Sequence, residues 1–363
     1  MPLRFLQESM KKTIAVFLAL ILLLSSGCAL QKEQRYNAQF LSLFDTLTTI
    51  VGYARSEDEF KELAEKLRLK LEEYHQLYDI YNDYPDVNNI KTINDNAGIA
   101  PVKVDSRIID LLKLMIVRNA ETNGAVNVAM GAVLSIWHDY REEGLNDPEN
   151  AKLPPMEALE EAAEHTDIND IIIDEENSSV YLRDPFMRLD VGSTAKGYAT
   201  EQLALYAKSL GVTSLLISVG GNIRAIGEKK EPDSKGDTRW NIGIQNPDKE
   251  SEQTELMHVL VSDMAIVSSG VYERYYVVDG KKYHHIIDPK TLMPSMNYQQ
   301  VTILSKDSGT GDSLSTAVFI LSVEEGKTLL KSVGAEAAWV KEDGSIEYTD
   351  GFLEYVKEAQ ENA

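Results

Sequence analysis

The spacing of apolar and polar positions predicts helices early in the chain and strands later. Residues 44–53, rich in Thr, Ile and Val, predict a strand. Ser56 with Glu59 three residues on predicts a capping box, and the apolar spacing behind it an amphipathic helix to about Tyr78. Residues 81–96 are turn-rich, with Asn, Asp and Pro. A second helix over 106–121 carries Ile108, Leu111, Leu112, Met115 and Ile116 on one side. A polar connection over 146–155 ends at Pro155, where a helix through 164 can start.

From Asp170 the pattern changes. Residues 171–174 and 180–183 predict a hairpin, 188–191 a short strand and 194–210 a helix. Strands follow over 214–219, 223–226, 240–245 and 258–261. Segments 275–278 and 282–287 flank Asp279-Gly280, a hairpin signal. After a strand over 301–304, one helix starts near Asp312 and a second covers 323–333. Strands over 337–340 and 346–348 close the pattern. Without regular strand–helix alternation, the expected class is α+β, with mixed or antiparallel sheets and flanking helices.

The N-terminal pattern is different. Met10-Lys11-Lys12 precede an apolar run over 13–24, and Leu24-Ser25-Ser26-Gly27-Cys28 follows. The run is too short for an ordinary transmembrane helix and has the flanks of an export signal. The stretch resembles the lipobox of bacterial lipoproteins, with Ser25 where an aliphatic residue is usual. That resemblance implies a signal peptide over 1–27, lipidation of Cys28 and a lipid-anchored tether over 28–40. A single domain over 41–358 would follow, on the extracytoplasmic face of the cell membrane.

Charge and cysteine content narrow the chemistry. The net charge is −22, and no basic stripe offers a footprint for nucleic acid or anionic lipid. Cys28 is the single cysteine, so the chain has no intramolecular disulfide and no thiolate cluster. An apolar fraction of 43% in 363 residues is enough for a large core.

Four segments carry candidate chemistry. Asp190-Val191-Gly192-Ser193-Thr194-Ala195-Lys196 places a Gly turn at a helix start, where free N–H groups can hold an anion or Ser193 or Thr194 can act as a plain cap. Gly220-Gly221 between two strands allows close backbone approach to a ligand, or a simple bulge. His284 and His285 are adjacent and point apart in a strand, so they suit one acid/base histidine better than a two-histidine metal site. Asp312 and Thr316 share a helix face, an all-oxygen pair suited to Mg²⁺, although Asp312 can equally be an ordinary N-cap.

Taken in order, Ala195-Lys-Gly-Tyr-Ala199, Ser218-Val-Gly-Gly-Asn-Ile223, His285-Ile-Ile-Asp-Pro289 and Asp312-Ser-Leu-Ser-Thr-Ala317 resemble the ApbE family of FAD:protein FMN transferases. The resemblance implies an α+β fold with FAD in a cleft between lobes. It also implies Mg²⁺-dependent transfer of FMN from FAD to a Thr or Ser hydroxyl of an acceptor protein, with AMP released. Asp312 and Thr316 resemble the family's metal ligands, with Ser193 as a third oxygen. Ser315 stands where some members have a second Asp. Phe44, Tyr81, Asp190, Lys196 and Ile286 match positions that the resemblance implies bind FAD, Tyr81 as a flavin-contacting aromatic. Ala125, Val126 and Asn127 fall in a loop that departs from the family's G-A-F-D pattern, with Val for Phe and Asn for Asp. His285 is the expected base, with His284 its rival, and a histidine base predicts an ascending limb of the pH–rate profile in the histidine range.

The implied acceptor carries a Ser/Thr-Gly-Ala-Thr type motif, belongs to an electron-transfer system and is a separate protein, because this chain has no such motif. Two alternatives use the same residues. One is a Mg²⁺-dependent FAD pyrophosphatase yielding FMN and AMP. The other is a non-enzymatic flavin-binding lipoprotein.

Overall fold

The computed structural model describes residues 32–357. The export signal and Cys28 lie outside the described residues. In chain order the elements begin with strands β1 (Gln34–Leu43) and β2 (Thr46–Ala54), then helix α1 (Glu57–Tyr78), helix α2 (Ile90–Asp95) and strand β3 (Val102–Lys103). Helices α3 (Ser106–Glu121), α4 (Gly131–Asn146) and α5 (Met156–Ala163) come next, then strands β4 (Ile171–Asp174) and β5 (Ser179–Leu182). Helix α6 (Ala195–Ser209) leads to β6 (Leu215–Val219), β7 (Asn222–Ile226), β8 (Trp240–Gln245), β9 (Glu255–Val261) and β10 (Ala265–Gly270). The last part contains β11 (Tyr275–Val278), β12 (Lys281–His284), β13 (Gln300–Ser305), α7 (Ser308–Ile320), α8 (Val323–Val333), β14 (Glu336–Val340) and β15 (Ile346–Tyr348).

The organising element is an eight-stranded sheet in the order β1-β2-β6-β7-β10-β13-β14-β15. All its pairings are antiparallel. Helices α1, α3 and α6 bury Leu67, Leu71, Ile108, Leu111 and Leu203 in one core with Ile50 and Ile217 of the sheet. Helices α7 and α8 cover β13 and β14, with Leu314, Val318, Phe319 and Leu330 of the helices clustered on Ile303 and Trp339 of the strands. The β8–β9 hairpin packs on the sheet through Trp240, Ile242, Ile244 and Val259. Helix α4 and the β11–β12 hairpin build a further cluster from Val133, Trp137, Tyr276 and Ile287. The class is α+β, as the segregated pattern predicts.

Local chemistry explains most boundaries. Ser56 caps α1, accepting from Glu59 N–H at 3.2 Å, and three acids in the first turn complement the helix dipole. The reciprocal half of the expected box is absent, because the Glu59 carboxylate accepts from Arg55 N–H at 2.8 Å instead. A complete box forms at α8 between Ser322 and Glu325.

Several expectations are corrected. Strand β1 begins at Gln34, inside the segment expected as a tether, and pairs with β2 along its length. The turn-rich region contains α2, which Asn89 and Thr92 cap reciprocally. Residues 188–191 are not a strand apart from one bridge at Arg188. Leu189 bonds the Asn94 side chain through both its N–H and its C=O, so an amide takes the place of a partner strand. Strand β12 stops at His284, because Ile286 N–H turns back onto His284 Nδ1. Asp307, not Asp312, caps α7 by accepting from Thr310 N–H at 2.6 Å, so Asp312 lies one turn inside.

Helices α6 and α7 are joined by a buried charge cluster. Glu201 Oε2 accepts from Ser308 N–H at 2.9 Å and from Arg224 Nε at 2.8 Å. The two charged side chains are only 7% and 5% exposed. Arg224→Met leaves that carboxylate buried without its counter-charge, and the expected loss is about 3–5 kcal/mol in urea denaturation. An unchanged midpoint would mean that the pair holds nothing together.

Candidate active site

A cleft of about 890 Å³ opens where the β1–β2 turn, the segment after α1, α4, the start of α6, the β6–β7 turn and the face of α7 meet. That is toward the upper end of the ~300–1,000 Å³ typical of ligand pockets, room for a dinucleotide. Phe44, Tyr81, Ala125, Val126, Asn127, Asp190, Ser193, Lys196, His285, Ile286, Asp312 and Thr316 all line it. Residues scattered over most of the chain are therefore brought together by the fold.

Ser315 alone of the expected site residues does not line it. Its fully buried hydroxyl donates to the Asp312 carbonyl oxygen at 2.7 Å and pairs at 2.7 Å with Oγ of Ser269, a residue that does line the cleft.

The floor is set by α6 against α7. Asp312 Oδ2 accepts from Gly197 N–H at 2.7 Å, and the Asn222 side chain also bonds this carboxylate. A Cβ on Gly197 would collide with the Ser308 carbonyl oxygen and Asp312 Cβ, so only glycine admits α7 this closely. Thr194 sits at the N-cap of α6 without a side-chain cap bond, and Asp312 answers the otherwise unpaired amide from another helix. Burial pushes the Asp312 carboxyl up from its ordinary range, while Lys196 and the N–H of Gly197 pull it down. Lys196 has no ion-pair partner among the described residues and is half-buried at the cleft.

Asp190 accepts from Gly192 N–H at 2.8 Å, which shapes the turn into α6. Burial raises its carboxyl too, opposed by Gly192 N–H, Arg274 and His138. Gly220 and Gly221, with φ of 54° and 87°, are the two residues between paired Val219 and Asn222. They form a tight hairpin turn that needs positive φ at both positions, not a bulge.

The two histidines separate clearly. Both nitrogens of His284 are engaged, Nε2 with the Ser295 carbonyl at 2.6 Å and Nδ1 with Ile286 N–H at 3.2 Å. His285 Nδ1 is buried and has no partner, while the Arg274 main chain bonds the ring. Burial, aided by the cations of Arg274 and Lys196, pushes His285 down to about 3. The ring is thus neutral with one free lone pair, the state a proton acceptor requires. In the free protein this moves the expected ascending limb far below the histidine range.

In the departing loop, the Asn127 side chain accepts from Ala129 N–H and donates to the Thr166 carbonyl, each at 2.9 Å. The amide thus braces the loop where the resemblance leads one to expect a carboxylate. The cleft also holds groups the sequence reading did not find. Trp137, His138 and Arg141 come from α4, and Gly243–Gln245 and Arg274 from the second half. Tyr81 packs on His138 with ring centres 5.3 Å apart, and Arg141 Nη2 lies 2.8 Å from His138 Nδ1. The spacing of Val133, Ile136, Trp137 and Tyr140 was the available signal for α4.

Comparison with known proteins gives a consistent picture. A model of the ApbE family matches residues 44–339. An FAD:protein FMN transferase of Klebsiella pneumoniae (strain 342) is 33% identical over 261 residues, covering 70% of this chain and 77% of the relative. One from Treponema pallidum (strain Nichols) is 31% identical over 287 residues, covering 75% and 76%. The crystal structure of the ApbE protein from Thermotoga maritima matches with a TM-score of 0.76 at 29% identity, covering 89% of this chain and 99% of that one.

Gly197→Ala tests the α6–α7 contact. Backbone on the far side cannot rotate away, so the expected loss is about 1–3 kcal/mol in thermal unfolding. Retention of full stability would show that the helices have room to part.

Proposed function

The chain belongs to the ApbE family, and we infer from that membership that it is an FAD:protein FMN transferase. The observation that carries the reading is the convergence of Lys196, Asp312 and the free Nδ1 of His285 on one cleft of dinucleotide size. We further propose that the acceptor is a Thr or Ser hydroxyl in a Ser/Thr-Gly-Ala-Thr type motif and that AMP is the leaving product.

The donor set suits Mg²⁺. Asp312 offers a buried carboxylate whose desolvation is only partly offset, and Thr316 and Ser193 offer hydroxyls at the same cleft. Hard oxygens with room for water are what this ion takes. Among the described residues no three His, Cys, Asp or Glu gather to hold a metal, so the set is hydroxyl-rich. Bound by these residues, Mg²⁺ would neutralise charge on the pyrophosphate.

The chain's own groups do the rest. Lys196 adds a fixed positive charge at the phosphates. His285 Nδ1 accepts the proton of the acceptor hydroxyl as its oxygen bonds to the FMN phosphorus. The bond from that phosphorus to the bridging oxygen breaks, and the bridging oxygen leaves with AMP. Phe44, Tyr81 and Ile286 supply apolar surface for the flavin and nucleotide, and Asp190 holds the turn beside them.

We also propose that Cys28 carries the lipid anchor and that the enzyme works at the extracytoplasmic membrane face on an electron-transfer partner. Cys28→Ala would then leave the protein in the soluble fraction, read by fractionation.

The decisive assay incubates the protein with FAD, Mg²⁺ and an acceptor domain bearing the motif, followed by intact mass and AMP measurement. The expected result is an acceptor gain of one FMN with stoichiometric AMP, lost with EDTA or in Asp312→Ala. Free FMN and AMP with unmodified acceptor would replace transferase by hydrolase, and bound FAD without turnover would make the protein a carrier. His285→Ala is expected to lower the rate by about 10²–10⁴-fold. In the parent, kcat/KM should be flat between about pH 5 and 8, and a limb near the ordinary histidine value, lost in His285→Ala, would contradict the depressed value.

A further inference from the structure

We propose that His75 is a positioning residue that sets two aromatic walls of the cleft, Phe44 and Tyr81, through one directional hydrogen-bond chain. The inference rests on the reading above, in which these residues hold the flavin nucleotide.

The β1–β2 turn is an unusual place for its residues. Phe44 and Asp45, with φ of 54° and 53°, are the two residues between paired Leu43 and Thr46. An Asn-Gly pair forms such a turn without strain, whereas a bulky aromatic side chain does not favour it. The chain therefore keeps a phenyl ring at the cleft at the cost of backbone comfort, and something must hold it there.

His75, on the last turn of α1, does so. Phe44 N–H donates to His75 Nδ1 at 3.2 Å, and the phenyl ring meets the imidazole edge-on at 5.5 Å. On the other side His75 Nε2 lies 3.3 Å from Tyr84 Oη. Tyr84 Oη donates to Asp79 Oδ2 at 2.7 Å. Asp79 Oδ1 accepts from Tyr81 N–H at 2.6 Å and from Asn82 N–H at 3.0 Å.

Only one proton assignment satisfies every link. A backbone N–H can only donate, so His75 Nδ1 must be bare and the ring proton sits on Nε2. Nε2–H then donates to Tyr84, whose own hydrogen goes to Asp79. Each donor faces an acceptor, and the chain ends on a carboxylate that also fixes the start of the Tyr81 segment. Residues 44 and 81 are distant in sequence, yet one imidazole ties their backbones together.

The role is separable from folding. The β1–β2 ladder and the burial of Phe60, Leu67 and Leu71 by α1 do not use His75. What depends on it is where the turn and the Tyr81 segment stand relative to each other.

The test measures FAD dissociation by flavin fluorescence alongside steady-state kinetics of the holoenzyme. His75→Leu should weaken FAD binding and raise its KM about tenfold, with kcat changed far less, as loss of a positioning bond predicts. His75→Asn, which keeps an acceptor near the Nδ1 position, should recover most of the affinity. If His75→Leu does not fold, Tyr84→Phe carries the test, because it removes one oxygen and should show a smaller shift of the same kind. Nitrogen-15 NMR should report the Nε2–H tautomer for His75. Wild-type FAD affinity in a folded His75→Leu, a fall in kcat without change in KM, or an Nδ1–H tautomer would overturn the inference. Failure of the wild-type protein to bind FAD would overturn the functional reading itself, and this inference with it.

Discussion

The contact of Gly197 with Asp312 is the constraint on which the cleft depends. Helix α6 begins without a side-chain cap of its own. Its otherwise unpaired amide is met by a carboxylate 115 residues further along the chain, at 2.7 Å. One turn on, Glu201 repeats the arrangement by accepting from the first amide of α7 while paired with Arg224. In a dry interior such bonds are strong when made and costly when broken. The same carboxylate thus holds the helices together and lines the cleft. A glycine must stand opposite it because a Cβ there would collide with Asp312 and the Ser308 carbonyl.

Charge works against this fold at long range and for it at short range. A net charge of −22 repels anions approaching from solvent. Inside the cleft, Lys196 and Arg274 stand free of ion pairs among the described residues, and Arg141 is close by. Screening confines their influence to about 8 Å at physiological salt, so an anion in the cleft would feel its immediate neighbours rather than a general field. Burial, with the same cations, holds the His285 imidazole well below its ordinary value.

Much of this was legible in the order of residues. Helices α1, α3, α6 and α8 followed from apolar spacing, and most later strands from short runs between turn signals. Strand β10 was missed because Ser268, Ser269 and Gly270 break its apolar run, although it lies at the centre of the sheet. Helix α4 was missed for lack of a capping signal, since Met130 makes no cap bond. With α4 went Trp137, His138 and Arg141, a whole wall of the cleft.

By itself the sequence determined which residue types stand in the four chemistry-bearing segments, and through their resemblance to a family it indicated both fold class and reaction. Local rules sufficed for these because caps, hairpin turns and apolar periodicity act over a few residues. Tertiary structure alone decided that His285 rather than His284 keeps a free nitrogen. It also turned Ser315 inward, made Asp312 the cap of another helix, and tied Phe44 to Tyr81 through His75. Each of these is settled by partners far away in the chain, and burial sets its strength. Neither distance nor burial is written in the local sequence.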